Sequence, residues 1–386
     1  MTPDIVELLR DGRFAEIQEL FAPQLRSLVT PEAIGSGWTA AVAQYGAFVG
    51  AGPAVTDQGT TRIPLEFSDG RLTLVVASGP SGLAGLQFAP ASAAEPIAPW
   101  EPPPYVDSSR FDEIPLDAVA GTLSLPRGSG PWPAVVLLSG SGSHDRDETI
   151  GRNKPLKDVA WGLASRGIAV LRLDKPPQRV ATVYEEYAPA ALAAVGLLRQ
   201  RNDIGPIYLL GHSLGGTVAP RIAAASSDIA GLILLAGGAQ PLHRAMVRQF
   251  RHIGAPDATI EAVTRQADLV DSPDLSPSAT ATELPFGVPA TYWLDLRAYS
   301  APATAAALEV PILLCQGARD YQVTVADDLR LWQSELADRS NVTIRVYDAD
   351  NHLFFPGSGP STPAEYEPAQ HVDPTVIADI AAWLAS

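Results

Sequence analysis

The sequence predicts an α/β protein: a mostly parallel, doubly wound sheet with a helical cap insertion, preceded by a small α+β domain. Three observations carry this. From about residue 110 onward, short apolar runs alternate with helical stretches. Those runs are apolar at successive positions, as strands covered on both faces must be. Before residue 90 the order changes, with helices first and then strands joined by a tight turn, the arrangement of a separate α+β unit.

The elements follow in order. Residues 1–90 form the N-terminal domain, whose role the sequence does not assign. Asp11-Gly12-Arg13 opens a helical pattern with Phe14, Ile17, Leu20, Phe21, Leu25 and Leu28 on one face. Thr30-Pro31-Glu32 starts a second helix, with a capping hydroxyl, proline at the first position and an acid in the first turn. It carries Trp38, Val42 and Tyr45 and nears its end at Gly46. Residues 61–67, 71–77 and 83–88 read as strands, the first two joined by Ser68-Asp69-Gly70. Residues 91–110 are rich in alanine and proline, including Pro102-Pro103-Pro104, and are expected to form a stiff linker.

The catalytic domain is expected over 111–386. Strands are read at 121–125, 134–138, 168–173, 207–210, 232–235, 311–315 and 342–347, with helices over 159–164 and 189–199 among the stretches between them. Residues 240–300 exceed what one crossover needs and hold helical pieces and a proline-rich loop. In a parallel sheet such an insertion lies above the strand C-termini, so it is read as a cap.

Composition narrows the function. The 386 residues suit two domains, and 46% hydrophobic with 18% charged residues exclude general disorder. Lys and Arg total 27 against 43 Asp and Glu, a formal charge of −16. Nucleic acid and anionic membranes both need clustered positive charge, so neither is expected as a partner. The single cysteine, Cys315, excludes an internal disulfide and a cysteine-based metal cluster. No apolar run approaches the ~18 residues of a membrane helix. The first ten residues lack the basic and apolar regions of a signal peptide, and the expectation is a soluble, cytoplasmic protein. No cofactor and no metal are expected. The expected partner is a small-molecule ester or acyl substrate, and a homodimer is left open.

The sharpest motif is Gly211-His212-Ser213-Leu214-Gly215, between an apolar strand and a helix. This is G-x-S-x-G in the strand–turn–helix context of a nucleophile elbow. The glycines suit a strained turn where neighbouring Cβ atoms would clash. The turn lifts the Ser213 hydroxyl clear of the sheet beside a helix N-terminus. Six histidines compete as its base. His212 faces away from Ser213, His243 and His252 read as cap surface, and His371 lies in a polar loop. His144 could line the site. His352, in Asp350-Asn351-His352 after the strand at 342–347, is the expected general base. Asp320, just past the strand at 311–315, is the expected orienting acid, with Asp348 and Asp350 as runners-up. Two backbone N–H donors are needed for an oxyanion. Leu214, after the nucleophile, and Ser141, in Ser139-Gly140-Ser141-Gly142-Ser143, are assigned. Tyr292 and Trp293 in the cap are read as an apolar wall for substrate or, equally, as cap core. Asp145, Arg146 and Asp147 are read as an ion network holding the oxyanion loop.

These motifs resemble the α/β-hydrolase superfamily. Gly142-Ser143-His144-Asp145-Arg146-Asp147-Glu148, with 153–158, 289–296 and 359–363, resembles more narrowly the bacterial esterase and serine-aminopeptidase-like group, whose members often carry a small N-terminal α+β domain. The resemblance implies an α/β-hydrolase fold and carboxylic-ester hydrolysis through a Ser-His-Asp triad and an acyl-enzyme. Alternatives using the same triad are a biosynthetic acyltransferase or cyclase and a serine peptidase. The group usually has His-Gly where this chain has Ser139-Gly140, and tends to continue with Arg-Thr near Asp174-Lys175-Pro176-Pro177. Serine at 139 reaches fewer partners than an imidazole, so a loosely held oxyanion loop is expected.

Overall fold

The apolar runs of the second half pair side by side in the structure, a computed structural model that describes residues 5–23, 25–26, 29–57, 59–79, 82–90, 99–176 and 180–386. The expected Leu28, Pro177 and residues 91–98 of the linker lie outside the described residues. The chain divides into two compact units, Met1–Ala98 and Pro99–Ser386.

The first unit runs α1 (Ile5–Arg10), α2 (Phe14–Leu20), α3 (Pro31–Tyr45), then β1 (Phe48–Ala51), β2 (Val55–Asp57), β3 (Thr60–Phe67), β4 (Gly70–Gly79) and β5 (Gly82–Pro90). The strands form an antiparallel sheet in the order β1-β3-β4-β5, with β2 on β3. The helical pattern from Phe14 stops at Leu20, because Phe21 turns extended and bridges Leu83. Thr30 caps α3 by accepting a hydrogen bond from the Ala33 N–H, and Gly46 ends it at φ 86°. Trp38, Phe67, Leu65 and Leu74 meet in one apolar core between α3 and the sheet. β1 and β2 escape the sequence pattern because they are short and mostly half-exposed.

The second unit starts earlier than composition suggests. Residues 99–110, expected as spacer, pack onto it. Trp100 Nε1 donates to Asp158 at 2.9 Å, Tyr105 Oη donates to the Val372 carbonyl at 2.9 Å, and the Asp107 N–H donates to Ser165 Oγ at 2.9 Å. Aromatic and hydroxyl side chains scattered among the prolines make this segment a strap.

Then follow β6 (Phe111–Leu116), β7 (Gly121–Pro126), β8 (Trp132–Leu138), α4 (Pro155–Ala164), β9 (Ala169–Leu173), α5 (Val183–Arg199), β10 (Ile204–His212), α6 (Leu214–Ala224) and β11 (Ile229–Leu235). The cap supplies α7 (Leu242–His252), α8 (Asp257–Asp271) and α9 (Ala290–Arg297), and α10 (Ala301–Ala306) leads back to the sheet. Last come β12 (Ile312–Gly317), α11 (Arg330–Glu335), β13 (Val342–Tyr347) and α12 (Pro374–Leu384). The eight-stranded sheet runs β13-β12-β11-β10-β8-β9-β7-β6. It is parallel from β13 to β9, and β7 and β6 add an antiparallel edge.

Successive side chains of the central strands enter opposite cores. Val136 and Leu138 of β8 join the core that includes Val195, Val218 and Trp332, while Val135 and Leu137 join the one that includes Val159, Ile377 and Ile380. Helices on both faces are why these strands read as unbroken apolar runs. From β8 the chain steps out to β9 and then back across β8 to β10. The crevice left beyond the C-terminal ends of β8 and β10, at this reversal, is where an open α/β sheet holds its ligand.

The cap has its own small core, including Met246, Val263, Val270 and Trp293. Arg248 of α7 ties it to the body through Asp327 at 2.6 Å and Asp328 at 3.0 Å.

Helix α5 begins with a reciprocal cap. Thr182 Oγ1 accepts from the Glu185 N–H at 3.1 Å, while the Glu185 carboxylate accepts from the Thr182 N–H at 3.3 Å. Thr182→Ala should therefore cost the second unit about 1 kcal/mol of unfolding free energy. A shift in urea midpoint checks it, and an unchanged midpoint would show the cap to be dispensable.

Candidate active site

The turn between β10 and α6 leaves no room for side chains. Ser213 sits at φ 52° and ψ −119°, outside the conformations L-residues favour. A Cβ on Gly211 would lie 2.2 Å from the Gly215 carbonyl oxygen, and one on Gly215 would lie 2.4 Å from that of Leu138. Glycine at both positions is thus a steric requirement, and it presses the turn against the end of β8. Ser213 is half-buried and lines a cavity of about 790 Å³ beneath the cap.

His352 lies on the loop after β13, and Asp320 on the loop after β12. His352 Nδ1 and Asp320 Oδ2 are 2.7 Å apart, and both side chains are buried. Asp320 Oδ1 accepts the N–H groups of Gln322 at 2.7 Å and Val323 at 3.0 Å, and Oδ2 accepts from Gln316 Nε2 at 3.1 Å. With every lone pair engaged, the carboxylate can sit without water. The Nδ1–H donated to Asp320 leaves Nε2 as the free lone pair. The His352 ring packs 4.8 Å from that of His212, the residue before Ser213. Among the hydrogen bonds of the described residues, none joins the Ser213 hydroxyl to His352, a separation common before substrate binds.

The runners-up for the acid separate clearly. Asp348 is exposed. Asp350 is buried, and burial first, then the neighbouring Asp373 carboxylate, pushes its pKa up to about 7. Neither has a hydrogen bond to His352.

The loop after β8 is held more firmly than Ser139 suggested. The Gly140 N–H donates to Glu148 Oε1 at 2.6 Å, and the Gly140 carbonyl accepts from Tyr187 Oη at 3.0 Å and from the Lys175 ammonium. The expectation of a loosely held loop is therefore corrected: Glu148 of the same loop, Lys175 after β9 and Tyr187 of α5 hold the peptide groups on either side of Gly140. Glu148 Oε1 and Oε2 each lie 3.0 Å from His212 Nδ1, and His212 Nε2 donates to the His352 carbonyl at 2.9 Å. Burial works to raise the Glu148 pKa, but His212 and the Gly140 N–H outweigh it and hold it below the ordinary range. Burial likewise works to lower His212, and Glu148 outweighs it. Acceptors thus face both His212 ring nitrogens, the Glu148 carboxylate at Nδ1 and the His352 carbonyl at Nε2.

The remaining sequence-assigned residues fall differently. Ser141 and Leu214 both line the cavity, and the Ser141 N–H has no hydrogen bond to a described residue. Leu214 opens α6, where the first N–H groups have no intrahelical acceptor. His144 does not line the cavity; its Nε2 lies 2.8 Å from the Ser141 carbonyl. Tyr292 and Trp293 line the cavity and are nearly fully buried. Tyr292 also donates to Glu186, and Trp293 belongs to the cap core. His243, read as cap surface, is buried and lines the cavity, 2.6 Å from Asp271. Arg146 pairs with Asp174, Asp147 pairs with Lys154 at 3.0 Å and with Arg172, and Asp145 accepts from the Thr149 N–H at 2.9 Å.

Sequence reasoning missed Glu148, Lys175, Glu186 and Tyr187. Lys175 Nζ meets Glu186 at 2.6 Å and lies 4.6 Å from the centre of the Tyr187 ring. Burial pushes its pKa below the ordinary lysine range, with Glu186 working against that shift. The signals were Glu148 and Lys175, which stand within motif segments but carried no assigned role, and Glu186 in the first turn of α5, where an acid reads as helix-start chemistry.

A profile described as the alpha/beta hydrolase family matches residues 135–369. Esterase EstD of Thermotoga maritima is 36% identical over 394 aligned residues, covering 98% of this chain and 93% of its own. The 2,6-dihydropseudooxynicotine hydrolase of Paenarthrobacter nicotinovorans is 33% identical over 134 residues, a third of each chain (33%). Among solved structures, Est1E from Butyrivibrio proteoclasticus superposes with a TM-score of 0.45 at 16% identity, over 71% of this chain and 97% of its own.

Asp350 gives the site a pH-dependent cost. Between about pH 4 and pH 7 the folded protein keeps a proton there that the unfolded chain, at its ordinary value of 3.8, has released. Stability thus falls as pH rises through that window. Asp350→Asn should raise Tm by about 4 °C at pH 8 and by less than about 1 °C at pH 4. An equal gain at both values would show that titration of Asp350 is not the cause.

Proposed function

The chain belongs to the alpha/beta hydrolase family and is a carboxylic ester hydrolase, and from that premise we propose that Ser213, His352 and Asp320 form its catalytic triad. Ser213 Oγ attacks the ester carbonyl carbon as His352 Nε2 takes the hydroxyl proton. Asp320 holds the Nδ1–H and stabilises the imidazolium. The tetrahedral oxyanion is met by the N–H groups of Ser141 and Leu214. Collapse expels the alcohol, which leaves with the proton held by His352. Water, deprotonated by the same nitrogen, then releases the acid and restores Ser213.

One set of contacts carries the reading: Ser213 lines the cavity from a strained turn, its neighbour His212 packs against the His352 ring, and His352 is bonded to the buried Asp320 carboxylate. The cavity of about 790 Å³, with Met246, Val288, Tyr292 and Leu296 among its walls, suits an ester with a sizeable apolar acyl or alcohol portion.

Ser213→Ala should abolish ester cleavage with the thermal transition intact, and a fluorophosphonate should label the native protein once, on the peptide containing Ser213. Label elsewhere, or turnover by the variant, would refute the assignment. Asp320→Asn should lower kcat by on the order of 10²–10⁴, because the imidazole is then held in the wrong tautomer. A larger loss from Asp348→Asn or Asp350→Asn would remove Asp320 from the triad.

A further inference from the structure

Lys175 and Tyr187 converge on a single oxygen. The ammonium of Lys175, from the loop after β9, and the hydroxyl of Tyr187, from α5, both donate to the carbonyl of Gly140. Both side chains are buried, with Lys175 7% and Tyr187 4% exposed. Burying an ammonium is costly unless its donors are engaged. Here Glu186 engages one, at 2.6 Å, and the Tyr187 ring lies beneath the charge at 4.6 Å.

That oxygen belongs to the peptide group whose N–H is Ser141's. The group is planar and trans, so its C=O and N–H point in opposite directions. Fixing the carbonyl toward Lys175 and Tyr187 fixes the direction of the Ser141 N–H. That N–H has no described hydrogen-bond partner, and Ser141 lines the cavity with Ser213. A cation on the carbonyl also polarises the amide and strengthens the opposite donor. The preceding peptide is secured separately, through the Gly140 N–H to Glu148.

We propose that Lys175 and Tyr187 are positioning residues that aim and polarise the Ser141 N–H as an oxyanion donor. The proposal rests on Ser213 being the nucleophile. It requires no titration and no group beyond this chain. It also gives the buried ammonium a task that a packed apolar side chain could not perform.

Tyr187→Phe removes one hydroxyl and keeps the ring in the core. For an oxygen ester, kcat should fall about 5- to 10-fold, the worth of one net hydrogen bond, with KM within about twofold. The discriminating substrate is the matching thionoester, whose tetrahedral intermediate places charge on a larger, weaker-accepting sulfur. Its rate should change by less than about twofold, so the oxygen-to-sulfur rate ratio drops with kcat. Lys175→Met should do the same more strongly, by about 10²-fold on the oxygen ester. If Lys175→Met fails to fold, Tyr187→Phe decides alone. Equal losses on both esters would mean a merely structural role and overturn the proposal, as would an unchanged kcat. Fluorophosphonate labelling separates the two readings. Native protein labelled at Ser213 with an unmoved rate ratio refutes only the aiming role, whereas absence of label at Ser213 removes the triad and this proposal with it.

Discussion

Ser213 is held at a backbone conformation that L-residues rarely adopt, and much of the second unit is arranged around keeping it there. The turn works only because β10 ends and α6 begins within one residue, with Gly211 and Gly215 passing each other at distances no Cβ tolerates. Gly215 also packs on the carbonyls of Leu138 and Ser139, so the end of β8 closes the turn from below. A strand buried on both faces cannot shift to relieve that contact. The rigidity of the central sheet and the exposure of one hydroxyl are therefore the same fact seen at two scales.

Around that turn lies a ring of buried polar groups with little slack. Glu148 binds the Gly140 N–H and His212, His212 binds the His352 carbonyl, and His352 binds Asp320. Loops from β8, β10, β12 and β13 are thus joined by side-chain bonds rather than by packing alone. Such networks are all-or-none in character, because removing one partner strands another in low dielectric. The arrangement places the loop after β8, the serine turn and the His352 loop under one constraint. In the proposed mechanism, substrate would then meet donors already oriented, which is usually the largest single term in such catalysis.

The sequence was most informative where geometry is local. Unbroken apolar runs such as 134–138 declare burial on both faces, and the structure places them at the sheet centre. G-x-S-x-G declares its turn because only glycine survives there. Asp320 and His352 could be nominated from their places just past two strands, since parallel strands deliver those loops to one edge. Exposed elements were less legible: β1, β2 and β6 are short or edge strands without a clear pattern.

What the sequence by itself determined is the strand–helix rhythm, the elbow and the order of the residues nominated for chemistry. Each depends on sterics or periodicity within a few residues. What only the tertiary structure decided is which charges are buried and with whom. Glu148 meets His212 across 64 positions, and Tyr187 meets Gly140 across 47. His243 turns inward beside Asp271, and His144 turns back on its own loop. Charged and polar side chains carry no periodic signal of burial. Their partners are set by which strand ends the crossovers bring together, and that is a property of the folded sheet.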